Sequence, residues 1–422
     1  MACMSHACIR LPIALSASAL FALLPAASAL AQVSAPPTPA PATEISDAVT
    51  PYLNARYRLE TVDQEGIAKS ATASTLRLRA GVRTAAWHGF SAVVEGEAIL
   101  RVGPKDYNDT VNGRAAFPVV ADPSDILLNQ AYVRWQPARQ LEVIGGRHAI
   151  NFDNQRWVGS VDWRQNDQTL DAVRIGIVPA AGTRIDYAYS WRVNRVFGKD
   201  SPQGIWPDSD IHLLRGSVRL APFGTLIAYG YWLDIPAAPA LSSRTLGGRL
   251  TGEQPLSDGL RIHYAAEYAR QSDLSINPRD FAHDYLLLEP GIGIGPVTIR
   301  VGYERLEGDG ITALQTPLAT LHAFNGWTDR FLTTPPSGLR DLYADVQWRI
   351  GSLFTSTPAT LRFQLHDFNA THGGADYGRE VGAWLTVPVT RQISAAFKLS
   401  HYEADAFATD TTKSWFSVEA RF

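Results

Sequence analysis

The sequence predicts an all-β protein: a single closed antiparallel transmembrane β-barrel of about 18 strands, with short periplasmic turns and long extracellular loops. Three observations predict this class. After Pro51, polar and apolar residues alternate with the period of a β-strand. The connections between the alternating segments are short and long in turn. No segment of the barrel region has the ~20 consecutive apolar residues that a spanning helix needs, and a closed barrel is the other structure that satisfies every backbone polar group inside a membrane.

The alternating segments are predicted to be strands with one apolar face and one polar face. In the segment 53–60, odd-numbered residues are apolar or aromatic, and even-numbered residues are Asn, Arg, Arg and Glu. The segment 184–194 repeats this pattern with aromatic residues at 187, 189 and 191. Eighteen such segments can be placed, and they begin near Tyr52, Thr75, Trp87, Ile126, Gln140, Thr169, Arg184, Ser209, Thr225, Ser243, Leu260, Ala282, Val297, Leu339, Ala359, Gly378, Thr390 and Lys413.

The connections sort into two kinds, which predicts a barrel with one tight end and one elaborate end. The chain ends in an alternating segment, Trp415 to Phe422, and its terminal Phe resembles the assembly signal of outer-membrane proteins. We therefore expect the bacterial outer membrane as the location, with membrane lipid and lipopolysaccharide around the barrel. Short turns are predicted at 137–139, 179–182, 221–224 and 388–390, and long loops at 102–125, 149–168, 194–210, 271–281, 308–338 and 403–412.

Three regions are predicted along the chain: a signal peptide (1–31), a Pro-rich periplasmic spacer (32–50) and the barrel (51–422). Arg10 supplies the positive charge of a secretory signal, and an apolar run and a small-residue cleavage site at Ala29–Ala31 follow it. Both cysteines, Cys3 and Cys8, lie in this signal. A disulfide, a cysteine metal site and a cysteine nucleophile are therefore excluded for the mature chain.

The overall composition excludes two further classes of protein. The chain has 422 residues, 45% of them hydrophobic, and a formal net charge of −3. This content is too hydrophobic for a disordered protein, and the charge gives no electrostatic basis for nucleic-acid binding.

The predicted lumen carries an excess of positive charge. On the polar faces of the strands we count nineteen cations, eighteen of them Arg, against ten carboxylates. Rings of Arg favour anions, because the planar guanidinium keeps its charge and binds carboxylates at two points. The sequence therefore predicts an anion-selective pore, and seven of its lumen cations are Arg56, Arg58, Arg77, Arg300, Arg349, Arg362 and Lys398.

Evidence for other chemistry in the sequence is weak, and we expect neither an enzyme nor a cofactor. The pairs His366–Asp367 and His283–Asp284 could belong to a hydrolytic site, but an adjacent pair is more often lumen or loop polarity. Acidic residues near the predicted extracellular loops are candidates for weak Ca²⁺ binding, without the ligand spacing that defines a site. These residues are Asp367, Asp376, Glu403, Asp405 and Asp410.

Two loop segments carry a family resemblance. Residues 147–172 read RHAINFDNQRWVGSVDWRQNDQTLDA, and residues 316–340 read TPLATLHAFNGWTDRFLTTPPSGLR. Together with STLRLRAGVRT (74–84) and GFSAVVEGE (89–97), they resemble the alginate-export family of outer-membrane β-barrels. The resemblance implies a single-chain barrel that passes anionic polysaccharide outward through an Arg-rich constriction, with loops folded into the pore.

Carried over to this sequence, the resemblance implies six arginines in the constriction and four aspartates that hold them in place. The arginines are Arg79, Arg134, Arg147, Arg156, Arg164 and Arg174, and the aspartates are Asp153, Asp162, Asp167 and Asp171.

Three functions remain open at this point. The first is export of an alginate-like anionic exopolysaccharide, with periplasmic export components as possible partners. The second is an uptake porin for small anionic solutes. The third is an outer-membrane hydrolase or adhesion scaffold with a plugged barrel, which would need a Ser-His-acid arrangement at the rim.

The signal peptide leads to the first prediction. The mature chain should begin near Gln32 and contain no cysteine, because cleavage after Ala31 removes Cys3 and Cys8. N-terminal sequencing of the protein from outer-membrane material tests this. Retention of residues 1–31 would contradict it.

Overall fold

The computed structural model describes residues 48–422, which consist of β-strands joined by turns and long loops, with short 3-10 helices at Pro239–Leu241 and Leu321–Ala323. Within this range there is no helix that is long and apolar enough to span a membrane. The predicted signal peptide and most of the predicted spacer lie outside the described residues. The strands are β1 (Val49–Gln64), β2 (Ala71–Thr84), β3 (Phe90–Asp106), β4 (Asp125–Ala138), β5 (Leu141–His148), β6 (Thr169–Ile177), β7 (Thr183–Asn194), β8 (Ile205–Trp206), β9 (Asp210–Leu220), β10 (Gly224–Asp234), β11 (Ser243–Ser257), β12 (Leu260–Asp273), β13 (Ala282–Ile294), β14 (Val297–Leu306), β15 (Leu339–Gly351), β16 (Ala359–Asn369), β17 (Asp376–Pro388), β18 (Ile393–Ala404) and β19 (Thr411–Arg421).

Pairing of the first strand with the last closes the sheet. β1 and β19 run antiparallel from Asn54 opposite Arg421 to Gln64 opposite Thr411. The two-residue β8 pairs only with the end of β7, whereas β7 pairs along most of its length with β9. Eighteen strands therefore form the wall, each antiparallel to its neighbours, and the predicted closed barrel of about 18 strands is confirmed.

The connections differ between the two ends of the barrel, as the sequence predicts. All four short turns named above lie at the end that also holds Val49 and Arg421. All six long loops lie at the opposite end, which is the extracellular end of an outer-membrane barrel. Three further connections at that end, 65–70, 235–242 and 370–375, are short and were not among the predicted loops.

The wall is apolar outside and charged inside. Ile126 and Val133 face outward and are 73% and 51% exposed. Arg58 and Glu60 of β1 face the lumen of the barrel and are nearly fully buried. This inversion follows from the alternation of side chains along a strand, since one face meets lipid and the other must hold the polar residues.

Glycines make room for tyrosine rings along the inner wall. Gly302 of β14 lies opposite Tyr343 of β15. A Cβ atom at Gly302 would lie 2.0 Å from Cζ of that ring. The missing side chain therefore lets the ring lie flat across the neighbouring strand.

This packing predicts that Gly302→Val destabilises the barrel by about 1–3 kcal/mol, because the new methyl groups would overlap the Tyr343 ring. Gly216→Val is the matched control. Gly216 lies on the outward phase of β9, and a Cβ there meets nothing within 4 Å. Denaturant unfolding of the detergent-folded protein measures the difference, and equal midpoints for the two variants would contradict the argument.

Candidate functional site

Two long loops, 149–168 and 307–338, fold back into the lumen and join each other there. The backbone N–H of Gly159 donates to the carbonyl oxygen of Leu318 at 2.8 Å, and that of Thr320 donates to the carbonyl oxygen of Gln155 at 3.0 Å. The side chain of Gln168 also donates to the Leu318 carbonyl. The two loops therefore form one body inside the barrel.

Loop 149–168 crosses the lumen and reaches the wall opposite its origin. The indole N–H of Trp157 donates to Glu267 of β12 at 2.7 Å, and its ring packs edge-on against Tyr285 of β13. The guanidinium of Arg156 pairs with Glu304 of β14 at 2.8 Å and is 1% exposed. Aromatic burial and a dry ion pair together hold this part of the loop.

The same loop then returns to β1, where two buried arginines bind its backbone. Arg56 donates to the carbonyl oxygen of Asp162 at 2.9 Å, and Arg58 donates to that of Trp163. Arg56 also donates to the side chain of Gln165 at 3.0 Å. These two lumen cations are therefore occupied by loop carbonyls, which would otherwise lose their hydrogen bonds on burial.

A single buried carboxylate links the second loop to the first. Asp329 accepts hydrogen bonds from Arg164 at 2.8 Å, Lys413 at 2.8 Å and His322 at 2.6 Å. Although burial opposes ionisation, these partners hold the pKa of Asp329 well below its usual range. Burial and the charge of Lys398 lower the pKa of His322, so this ring is neutral at pH 7.

Lys398 of β18 lies in a cage of tryptophan rings. Its ammonium is 4.0 Å from the ring centre of Trp327, 4.1 Å from that of Trp163 and 4.5 Å from that of Trp384. It also lies 2.8 Å from Nε2 of His322. Two of these rings belong to the in-folded loops, so this lumen cation attaches the loops to the wall through ring faces.

The six predicted constriction arginines fall into three groups. Arg79, Arg156 and Arg164 are buried and paired with carboxylates, and they hold the loops. Arg134 and Arg174 are partly exposed in the lumen and pair with Glu142 and Asp186.

The structure does not bring Arg147 together with the other five. β5 pairs with β6 without a bulge, so Arg147 lies on the opposite face from Glu142 and on the outward side of the wall. It pairs there with Asp171 at 2.6 Å, which places that aspartate outside the lumen as well.

The other predicted aspartates each contact lumen arginines. Asp162 lies 3.2 Å from Arg77 and 3.1 Å from Arg79, and more than half of its side chain is exposed. Asp167 is buried and lies 3.2 Å from Arg79. Asp153 pairs with Arg215, which is not one of the six.

Arginines outnumber their partners in the half of the lumen near the short turns. Arg300 and Arg362 share the carboxylate of Asp345, and Arg300 also lies 4.0 Å from Glu289. Arg349, near the mouth, is exposed and has no ion pair among residues 48–422, and Arg83 and Arg219 likewise have none within that range. This half therefore keeps the uncompensated positive charge of the lumen.

Several anchoring groups were not predicted from the sequence. Glu267, Glu304 and Glu380 occupy inward positions on strands, and only their sign was used in the charge count. Glu380 accepts hydrogen bonds from the backbone N–H of Thr328 and the side chain of Ser400. Their periodic position was the available signal, but nothing in the sequence identifies their loop partners.

Within residues 48–422, the two His–Asp pairs that the sequence offers as pieces of a hydrolytic site do not form one. In each pair the two side chains contact different partners. His366 pairs with Asp341 at 3.0 Å, and Asp367 pairs with Arg379 on the other face of β16. His283 contacts Thr312, while Asp284 pairs with Arg270. Within 48–422 no three His, Cys, Asp or Glu side chains converge on a position for a metal ion.

Comparison with known proteins agrees with this architecture. The profile of the family described as Alginate export matches residues 53–193, which confirms the resemblance over β1 to β7. No curated protein sequence matches the chain.

Solved barrels of the same fold cover nearly the whole chain. Pseudomonas aeruginosa OpdL is 15% identical, with a TM-score of 0.67 over 90% of this chain and 99% of its own. P. aeruginosa OccK9 (OpdG) is 14% identical, with a TM-score of 0.69 over 90% and 99%. The outer membrane protein OpdK from P. aeruginosa is 13% identical, with a TM-score of 0.65 over 89% and 99%.

The fold and these similarities define a class of protein. The chain is an 18-stranded β-barrel of the bacterial outer membrane with the architecture of a porin.

The buried carboxylates of loop 149–168 lead to a prediction about pH. Burial raises the pKa of Asp167 to about 6, against the opposing effect of Arg79. A carboxyl whose folded pKa is raised contributes stability at low pH that is lost as pH rises through that pKa. Wild type should therefore lose about 1 kcal/mol relative to Asp167→Asn between pH 5 and pH 7, because the rest of the effect falls below pH 5.

Asp162→Asn is the control for this measurement. Although partial desolvation by the surrounding loop and wall opposes the effect, the positive charges of Arg56, Arg77 and Arg79 lower the pKa of Asp162. Its contribution is therefore lost only at lower pH, and its difference from wild type should not change between pH 5 and pH 7. Denaturant unfolding at pH 5 and pH 7 gives the free energy of unfolding of each protein. If this free energy changes by the same amount in wild type and in Asp167→Asn, the prediction is wrong.

Proposed function

We propose that this channel passes small anionic solutes rather than an extended polysaccharide. The observation that carries the proposal is the joining of loops 149–168 and 307–338 across the lumen. Their shared hydrogen bonds and buried ion pairs, among them Arg156–Glu304 and Arg164–Asp329, make them a fixed obstruction. Solutes must pass beside this body, which suits small molecules.

The charge of the lumen supports anions as the solutes. Below the loops, Arg83, Arg219 and Arg349 lie without an ion pair within the described range. A solute anion there can exchange water for guanidinium donors. Several weak contacts in series allow it to leave again.

Export of an anionic exopolysaccharide is the second candidate, and the match of residues 53–193 to the Alginate export family favours it. Both functions would use the same positive charge. A polymer, however, requires a continuous wide passage, so both loops would have to leave their buried sites. Export would also involve periplasmic components, which a passive solute channel does not need.

The charge argument predicts anion selectivity. In planar bilayers under a KCl gradient, the reversal potential of wild type should correspond to preference for chloride. Arg134→Gln/Arg174→Gln should move it towards cation preference, because both side chains are partly exposed in the lumen. Arg114→Gln/Arg279→Gln removes the same charge from extracellular loops and should leave the reversal potential nearly unchanged.

Solute size separates the two candidates. Added glucuronate should pass or interrupt the current, whereas uronate oligomers of increasing length should be excluded. Passage of long oligomers by wild type would overturn the proposal in favour of export. Cation selectivity of wild type would contradict both candidates.

A further inference from the structure

A cavity of about 420 Å³ lies at the extracellular end of the barrel, between the in-folded loops and the loops 107–124 and 195–209. Its rim includes Val119 and Leu332, which are 48% and 40% exposed, so it is open to the outside. This volume is within the range of small-molecule sites. We call it the extracellular cavity.

The lining of the extracellular cavity combines apolar walls with positive charge. Four cations line it, and Asp329 is its one carboxylate. Arg164 and Lys413 both bind Asp329, so their charge is compensated. Arg195 and Arg330 are the two lining cations that have no carboxylate partner among residues 48–422.

Arg195 is held in place by aromatic rings. Its guanidinium lies 4.1 Å from the ring centre of Trp206 and 4.7 Å from that of Phe197, and it donates to the carbonyl oxygen of Gln203 at 3.0 Å. Among residues 48–422 no carboxylate pairs with it. Burial lowers its pKa to about 10, so it remains charged at neutral pH.

Arg330 is next to the shared carboxylate but does not bind it. Asp329 already accepts from three other side chains, and Arg330 has no ion pair within 48–422. The Nε–H of Arg330 is buried without a hydrogen-bond acceptor. A guanidinium with unmet donors is costly, and Arg330 lines the cavity, so an anionic ligand there can accept from its guanidinium group.

The rest of the wall does not suit a hydrated sugar acid. Phe117, Val119, Val161, Val196 and Leu332 contribute apolar surface to the cavity. A ligand covered in hydroxyl groups would lose hydrogen bonds to water there without replacing them. An apolar or aromatic body would instead gain from burial.

We propose that the extracellular cavity is a binding site for carboxylates with an apolar or aromatic body, which Arg195 and Arg330 recognise through the carboxylate. The proposal rests on the proposed function, since it names the class of solute that the channel collects. A carboxylate bound here replaces the partner that both arginines lack. The apolar walls select the body of the solute before it reaches the loops.

Titration calorimetry of the detergent-folded protein tests the site with three probes: benzoate, glucuronate and benzyl alcohol. Wild type should bind benzoate in preference to both others. Arg195→Gln/Arg330→Gln should weaken benzoate binding by about tenfold or more, because it removes charged hydrogen-bond donors. Arg279→Gln, in an exposed loop outside the cavity, is the matched control and should bind as wild type does.

A second variant keeps the test independent of the arginines. Phe117→Ala should weaken benzoate binding but leave glucuronate unchanged, since only an aromatic body uses that wall. Equal binding of glucuronate and benzoate by wild type would overturn the proposal, as would benzoate binding that neither variant changes. No benzoate binding alongside anion-selective conduction would refute this site and leave the proposed function standing, whereas cation selectivity would refute the proposed function itself.

Discussion

Closure of the sheet is the constraint on which the rest of this molecule depends. A strand edge left open in a membrane would expose unpaired backbone groups to lipid, so the first and last strands must pair. The pairing of Asn54 with Arg421 and of Gln64 with Thr411 fixes that seam. Once the wall is closed, every second side chain of each strand points into the interior. That interior is too wide for the wall side chains alone to fill. The in-folded loops and the charges that bind them occupy that space.

The charged side chains of the interior are of two kinds, which differ in burial. The buried ones hold the loops, and the exposed ones face the water of the lumen. A guanidinium taken out of water needs a partner, so each deeply buried arginine is matched by a carboxylate or by loop carbonyls. Arg156 with Glu304 and Arg58 with Asp122 are examples. The arginines that remain wet lie nearer the short turns. The positive surplus counted from sequence therefore overstates the charge that a solute meets, because much of it is used to hold the loops.

The strands were predictable because their period is local and repeats over ten or more residues, and all eighteen predicted segments correspond to wall strands. The joined loops were not, because their contacts connect residues far apart in sequence, such as Gln155 with Thr320. The sequence pattern also could not show which residues of the short strand β5 face the lumen, because this strand leads directly into a loop motif. Arg147 was assigned to the pore with its motif, yet β5 places it on the face opposite Glu142. Arg195 and Arg330 lie in irregular segments, where no periodicity indicates their position.

The backbone hydrogen bonds between the two in-folded loops have a consequence for how the barrel changes state. Neither loop can leave the lumen alone, because moving residues 155–159 breaks the contacts of residues 318–320 as well. Stacking of Trp163 on His322, with ring centres 4.2 Å apart, adds a further shared contact. The two loops therefore form one cooperative unit. Any widening of this barrel would require both loops to leave their sites together, because loosening one loop alone breaks the contacts of the other.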